Sequence, residues 1–243
     1  MAVFSGRARK DDAYAEAHDP QLVRLRGRDP LALVPVANPR NAGPLVGVAN
    51  ALNPSGAGRV LLLTVVPPPE EGWEGTPPER LEQAQKVLHE AMLQAFRAGR
   101  RPEALMTVAN QPWDEIRRVA LTRHCESIVL GLSNLDEQLE SRHLERLLGE
   151  VRTDVAILNA PEGWDLDDAH RILVPVGGRG GQDEIRARLL GSLCRDPRRE
   201  ITFLRVLPAE ASDAQLREAR LWLQQFARDE APIEVVATVA RAT

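Results

Sequence analysis

The 243 residues leave room for one large or two small domains, and 43% apolar with 27% charged residues is typical of a folded protein. A net charge of −4 gives no electrostatic support for nucleic-acid binding. No apolar run approaches the roughly 20 residues of a membrane-spanning helix, and residues 1–19 lack the apolar core of a signal peptide. We therefore expect a cytosolic chain with no transmembrane segment and no nucleic-acid partner.

The N-terminal segment, residues 1–28, is polar and charged and shows little periodicity. Near its end, Arg24, Arg26 and Arg28 alternate with apolar residues and glycine. This pattern is compatible with a short edge strand that has one basic face, or with a basic linker. An Asp-Pro step stands on either side of it, which favours turns and therefore the linker.

The next segment, 29–160, alternates short apolar runs with amphipathic stretches. The runs are too short for helices and rich in β-branched residues, so they predict five buried strands, at 31–37, 58–66, 103–110, 126–132 and 154–159. Apolar residues spaced by three and four predict four helices between them, at 44–52, 78–98, 112–124 and 135–151. This alternation predicts an α/β fold with a doubly wound parallel sheet.

After a loop at 161–170 the same pattern begins again. Strands are predicted at 172–176, 201–207 and 233–239, with helices between them, the first capped by Asp183. Pro35 recurs as Pro175, 140 residues later, and Pro67 recurs as Pro208, 141 residues later. We therefore predict a partial second copy at 171–243 that holds only strands one to three.

That partial copy leaves the outer edge of its first strand without a partner. Exposed edges of this kind are usually covered or paired. We therefore expect the second copy to contact the first copy or another chain, by self-association for example.

A glycine-rich turn follows the first strand of the second copy. Gly177, Gly178, Arg179, Gly180 and Gly181 combine flexible backbone, a guanidinium group and the approach to a helix N-terminus. Such a combination is typical of anion-binding turns. The alternative is a tight strand-to-helix turn that needs glycine only for its dihedral angles.

The βαβαβ start, a first strand ending in Val-Pro-Val at 34–36 and a later strand ending in Gly131 together resemble the universal stress protein family. The resemblance implies the strand order 3-2-1-4-5, as in adenine nucleotide alpha hydrolase-like folds. It also implies that ATP-binding members hold the nucleotide between strands one and four. Their marks are an aspartate after strand one, a G-x-x-G after strand four and a later G-(S/T).

This chain departs from those marks. Ala37 or Asn38 stands at the position of the aspartate, Asn134 replaces the second glycine after Gly131, and no G-(S/T) follows at the expected distance. What the resemblance implies here is a remnant pocket for ATP or a related nucleotide. Its candidate residues are Asn38, Gly131, Ser133 and Asn134.

A narrower resemblance covers residues 19–207. The runs DPQLVRLRGRDPLALVPVANPRNAGPLVGVANAL and RILVPVGGRGGQDEIRARLLGSLCR are similar to the soluble C-terminal region of certain bacterial amino-acid permeases. These permeases belong to the amino acid–polyamine–organocation transporter superfamily and carry stress-protein-like domains behind their membrane helices. The resemblance implies a regulatory module whose partner is a transporter or its inner face.

Three functions are compatible with these patterns. The first is a non-catalytic regulatory or interaction module, which both resemblances favour. The second is a soluble sensor that binds a nucleotide or a small anion. The third is an enzyme, and it ranks last because no catalytic constellation is evident.

The residues that could serve an enzyme are few. His124 and Cys125 form the only adjacent His-Cys pair and have no evident third member of a triad. An acidic loop with one histidine has a spacing that matches no metal-ligand signature: Asp165, Asp167, Asp168 and His170. Four tryptophans are predicted at the edges of elements, without forming a stacking platform: Trp73, Trp113, Trp164 and Trp222.

Overall fold

The computed structural model of the chain describes residues 30–53, 58–68, 78–97, 102–131, 138–161, 163–177, 183–231 and 235–242. Contacts divide the described chain into two compact units that meet between Leu166 and Asp167. We call residues 30–166 the first unit and residues 167–242 the second unit. The basic strip at Arg24, Arg26 and Arg28 lies outside the described residues, as does Trp73.

The first unit contains a five-stranded parallel sheet in the predicted order, β3-β2-β1-β4-β5. Its strands are β1 Leu31–Pro35, β2 Arg59–Val66, β3 Glu103–Val108, β4 Ser127–Gly131 and β5 Asp154–Leu158. Leu33 of β1 lies beside Leu61 of β2 and, on its other side, beside Ile128 of β4. The order of the strands reverses between β1 and β4, which is where open α/β sheets bind their ligands.

Four helices cover this sheet on both faces: α1 Ala42–Leu52, α2 Pro78–Arg97, α3 Pro112–Thr122 and α4 Gln138–Glu150. The connections through α1 and α2 run across the sheet from β1 towards β3, whereas those through α3 and α4 run in the opposite direction, towards β5. Because such crossovers are right-handed, α1 and α2 lie on one face and α3 and α4 on the other. On the second face Leu33 and Ile128 pack against Val119 of α3 and Leu147 of α4. Residues 31–34 of β1 are accordingly buried, so a continuous apolar run was a sound signal of a doubly covered strand.

Some boundaries differ from the predicted ones. β3 ends at Val108 rather than at residue 110, because its partner β2 ends at Val66, directly opposite. β1 ends at Pro35 rather than at residue 37, and a 3-10 turn, Pro39–Asn41, precedes α1. The start of the helix predicted at 135–151 lies outside the described residues, which resume at 138.

The second unit is a three-stranded parallel sheet in the order β6-β7-β8. Its elements are β6 Arg171–Pro175, α5 Asp183–Leu193, β7 Glu200–Leu207, α6 Asp213–Glu230 and β8 Val236–Arg241. Asp183 is the first residue of α5 rather than its cap. α6 has a complete capping box: the Ser212 hydroxyl accepts from the Gln215 backbone N–H, and the Gln215 side chain accepts from the Ser212 N–H.

Both helices of the second unit lie on one face of its sheet. The core on that face joins Val174, Ile201 and Phe203 of the strands to Leu190 of α5 and Leu223 of α6. This placement follows from the strand order, since both crossovers progress in the same direction. β6 pairs with β7 alone among the described strands, so its outer edge is unpaired there.

The opposite face of that sheet, here called the bare face, has no described helix over it. Its central part consists of outward-pointing uncharged side chains of the three strands, with Arg171 and Glu200 at its amino end: Leu173, Pro175, Thr202, Leu204, Val206, Val236, Thr238 and Ala240. Leu173, Val206 and Val236 are 59%, 55% and 58% exposed. Leu33, which occupies the same place in the first unit as Leu173 does in the second, is 0% exposed.

None of the described helices combines the length and the apolar character that a membrane crossing requires.

Candidate functional site

Asn38 lies just beyond β1, at the carboxyl edge of the sheet where the strand order reverses. Its side-chain oxygen accepts a hydrogen bond from the Arg40 backbone N–H at 3.0 Å, and its carbonyl accepts from the Asn41 N–H at 3.1 Å. These bonds form the turn that leads into the 3-10 segment. The side-chain oxygen of Asn38 therefore has a local structural role.

Gly131 ends β4 at the same edge of the sheet. A Cβ at this position would lie 3.2 Å and 3.3 Å from the two Cδ atoms of Leu45 in α1. Leu45 is buried, so the absence of a side chain at Gly131 lets α1 pack closely over the end of β4. Packing alone explains this glycine, with or without a ligand.

The structure thus brings two of the four candidates in the first unit to one edge. Because β1 and β4 are neighbouring parallel strands, Asn38 and Gly131 both follow their carboxyl ends. Ser133 and Asn134 lie outside the described residues. The strand order reverses at this edge, and exposed Ala37 or Asn38 stands where the resemblance implied an aspartate.

Of the glycine-rich turn in the second unit, only Gly177 is described. It is exposed, its φ of 157° is one that residues with a side chain rarely adopt, and nothing lies within 4 Å of the position of a Cβ. Gly178, Arg179, Gly180 and Gly181 lie outside the described residues. The anion site predicted at this turn stays a prediction.

His124 and Cys125 lie between α3 and β4. His124 is exposed and has a φ of 52°, so it makes the turn that returns the chain to the sheet. The Cys125 thiol is buried, and burial raises its pKa to about 11. At neutral pH the sulfur is therefore a protonated thiol rather than the thiolate that nucleophilic chemistry needs.

The acidic loop offers no described metal site. Within the described ranges, no group of three or more His, Cys, Asp or Glu side chains is placed to hold a metal ion. Asp167 instead lies 3.6 Å from the guanidinium of Arg199.

The second unit also contains a cleft of about 640 Å³ at the carboxyl end of β7, which the sequence patterns did not indicate. We call it the α6 cleft. Its lining comes from the end of β7, the following turn and one side of α6: Arg205, Leu207, Pro208, Glu210, Ala211, Gln215, Glu218, Ala219 and Trp222. It lies within a single unit and is built entirely from described residues.

Trp222 and Arg205 form the centre of this cleft. The Arg205 guanidinium carbon stands 4.5 Å from the centroid of the Trp222 ring, a cation–π contact. The Trp222 ring also stacks on Phe226 at 5.1 Å, and Phe226 meets the buried Phe203 edge-on. Trp222 is therefore in the middle of a helix and part of an aromatic stack, which corrects its predicted position at the edge of an element.

Two sequence signals could have pointed to the α6 cleft. On α6, Gln215, Glu218 and Trp222 recur at three and four residues, which places them on one side of the helix. On β7, Arg205 follows Ile201 and Phe203 at period two, so a charged residue occupies an inward-facing position. Both signals need the helix and the strand to be neighbours, which only the fold establishes.

One comparison with a solved structure supports the fold, and two further structures match less closely. A universal stress protein from Archaeoglobus fulgidus DSM 4304 matches with a TM-score of 0.58 and 18% identity, covering 88% of this chain and 77% of that one. A universal stress protein in complex with cAMP matches with a TM-score of 0.42 and 19% identity, covering 54% of this chain and 98% of that one. The A. fulgidus universal stress protein in complex with dAMP matches at 0.39 and 18%, covering 53% and 95%.

A search of curated proteins found no match to the chain. The sequence profile described as the universal stress protein family matches residues 32–159, more than half of the chain. This match covers all five strands of the first unit, whose order is the one that the resemblance implied. The chain belongs to the universal stress protein family.

Proposed function

We propose that this protein is a non-catalytic, cytosolic regulatory or interaction module whose second unit docks a partner protein through the bare face. The observation that carries the proposal is the difference between two equivalent leucines. Leu33 is completely buried under α3 and α4, whereas its counterpart Leu173 is 59% exposed. The second unit thus presents to solvent a surface that the first unit uses as core.

The composition of the bare face favours a protein partner. Leu173, Val206 and Val236 lie on three adjacent strands, and the neighbouring outward positions are Thr202 and Leu204. The charged side chains of this face, Arg171 and Glu200, lie opposite each other at the amino ends of β6 and β7, away from these five positions. Contiguous exposed apolar surface of this kind marks interaction sites more often than it marks ordinary protein surface.

The sequence resemblance supports an amino-acid permease as the partner. In the first unit, the covering elements of the equivalent face are two amphipathic helices, whose apolar sides include Val119 of α3 and Leu147 of α4. We accordingly propose that the partner presents helices of similar character from the cytosolic side of a transporter.

One observation supports a role without catalysis. The thiol of Cys125 is buried and its pKa is raised to about 11, which removes the nucleophile of the His124–Cys125 pair at neutral pH.

Photo-crosslinking tests the docking surface. A p-benzoylphenylalanine residue is introduced at position 173 and, as a matched control, at position 121, where Leu121 on α3 is 47% exposed. We expect position 173 to crosslink to a membrane transporter in cells and position 121 to remain without that product.

The other outcomes are equally informative. Crosslinks from position 173 to a second copy of the chain would keep the interaction role and remove the transporter as its partner. Equal products from both positions, or none from position 173, would contradict docking through the bare face.

Nucleotide binding in the first unit is the second candidate function. The observation that favours it is the reversal of strand order between β1 and β4, with Asn38 and Gly131 at the carboxyl ends. A thermal-shift screen with ATP, AMP and cAMP tests it, since a ligand at 100 times its Kd stabilises by about 2.7 kcal/mol. A saturable shift with one of the three supports this candidate, and no shift with any of them contradicts it.

A further inference from the structure

The charged groups of the α6 cleft do not neutralise one another. Arg205, Glu210 and Glu218 all line it, yet none of the three forms an ion pair or a hydrogen bond with any other residue that the structure describes. The guanidinium of Arg205 is held instead by its face, against the Trp222 ring. A guanidinium stacked in this way keeps its in-plane N–H donors available for a bidentate acceptor such as a carboxylate.

The walls of the cleft are fixed by contacts of their own. The turn that follows β7 is closed by a hydrogen bond from the Ala211 N–H to the Pro208 carbonyl at 3.0 Å. Arg241 of β8 donates to the Ala211 carbonyl at 3.1 Å and pairs with Asp213 at the start of α6. The capping box at Ser212 holds the first turn of that helix. The cleft therefore exists before any ligand arrives, which lowers the entropic cost of binding.

The equivalent place in the first unit is closed. In the register of the strands, Arg205 corresponds to Thr64, because Leu204 lies beside Pro175 just as Leu63 lies beside Pro35. Thr64 is buried, and its hydroxyl donates to the Val36 carbonyl at 3.0 Å. In place of this buried hydrogen bond, the second unit has the charged side chain of Arg205 beside the exposed ring of Trp222.

The charges of the cleft select among ligands. One guanidinium and two carboxylates give it a net negative charge, which opposes a phosphate group with two negative charges. A carboxylate on the ligand suits Arg205, an ammonium group suits Glu210 or Glu218, and an aliphatic chain suits the part of the Trp222 side chain that stays exposed. A volume of about 640 Å³ is within the usual range for small-molecule sites.

We propose that the α6 cleft binds a small molecule that carries both a carboxylate and an ammonium group, such as a free amino acid. Arg205 binds the carboxylate, Glu218 and Glu210 bind the ammonium group, and Trp222 packs against the carbon chain between them. This proposal is independent of docking through the bare face, since ligand binding to the chain alone tests it without any partner protein.

The experiment follows the indole N–H signal of Trp222, assigned with a Trp222→Phe variant, in ¹H–¹⁵N spectra of the full chain. L-Lysine is the probe, and three compounds are compared with it: cadaverine, which lacks the carboxylate, hexanoate, which lacks the ammonium group, and AMP, which lacks both and carries a phosphate. We expect L-lysine to shift the Trp222 signal saturably. The other three should bind at least about tenfold more weakly, because that is the affinity lost with one hydrogen bond to a charged group.

Variants separate the α6 cleft from general electrostatics. Arg205→Gln and Glu218→Gln should each weaken L-lysine binding by about tenfold or more. Glu218→Gln leaves the aromatic stack untouched, so it tests the site even if Arg205→Gln disturbs the fold. Arg220→Gln, an exposed arginine on the same helix but outside the cleft, should leave binding unchanged.

Three results would overturn the proposal. The first is an unchanged Trp222 signal at saturating concentrations of L-lysine. The second is binding of cadaverine or hexanoate as tight as that of L-lysine, which would show that the cleft does not recognise the carboxylate and the ammonium group at once. The third is preferential binding of AMP, which would assign the cleft to anionic ligands.

Discussion

Burial determines the chemistry of Cys125, and this has a consequence for stability at alkaline pH. In the folded chain the thiol keeps its proton up to about pH 11, while its ordinary pKa is 9.0. Between these values the unfolded chain releases a proton that the folded chain retains. The contribution of the thiol is therefore complete below pH 9 and is lost as the pH rises towards 11.

We predict that Cys125→Ala reduces the loss of stability between pH 9 and pH 11. The measurement is the urea midpoint of the wild-type protein and the variant across this range, with pH 7 as the reference for any packing effect. Parallel pH profiles for the two proteins would show that the thiol does not ionise on unfolding.

Single residues also show how far sequence reasoning about the candidate site could go. Asn38 and Gly131 were placed at the correct edge of the sheet, because parallel strands end together. Their roles were not predictable, since the bond from Arg40 to Asn38 and the contact of Leu45 with Gly131 depend on tertiary geometry. Arg205 and Trp222 were missed as a pair for the same reason.

At the level of elements, the connection from α1 to β2 depends on the close approach of Gly58 to the side chain of Asn53. A Cβ on Gly58 would lie 2.2 Å from the Cβ of Asn53, whose side chain is buried and donates to the Arg59 carbonyl at 3.2 Å. We predict that Gly58→Ala lowers the free energy of unfolding by about 1–3 kcal/mol, the usual cost of overpacking. Chemical denaturation measures this loss.

Gly149 in α4 provides the matched control, because nothing lies within 4 Å of its potential Cβ. Alanine is the better helix former, so Gly149→Ala should raise stability by up to about 1 kcal/mol. A Gly58→Ala protein as stable as the wild type would mean that the chain around Asn53 rearranges at little cost.

The strands themselves were the most predictable elements. Strands β1 and β2 are covered on both faces and contain continuous apolar runs, at 31–35 and 60–63, which identifies them without any tertiary information. β6 ends in the same Leu-Val-Pro as β1, yet its outward side chains are exposed. That difference depends on which helices lie over the sheet, so no local pattern contains it.

At the scale of the whole molecule, the two units supply an internal comparison of one residue in two environments. Leu33→Ala should cost about 2–5 kcal/mol, as expected for a buried leucine. Leu173→Ala, at the equivalent place on the bare face, should change stability by no more than about 0.5 kcal/mol. Denaturation of both variants, followed by circular dichroism, tests the prediction.

A similar loss in both variants would mean that Leu173 is buried in solution, by self-association for example. Sedimentation velocity at several concentrations would then identify the species in which the leucine is covered.

The one-sided placement of α5 and α6 has a consequence for the lifetime of the protein in a cell. An apolar sheet surface that is open to solvent is also what chaperones and proteases recognise in incompletely folded chains. Copies made in excess of the docking partner would therefore be treated as orphan subunits and removed, whereas docked copies would be spared. The abundance of this protein would then follow the abundance of its partner, without any dedicated control of its synthesis.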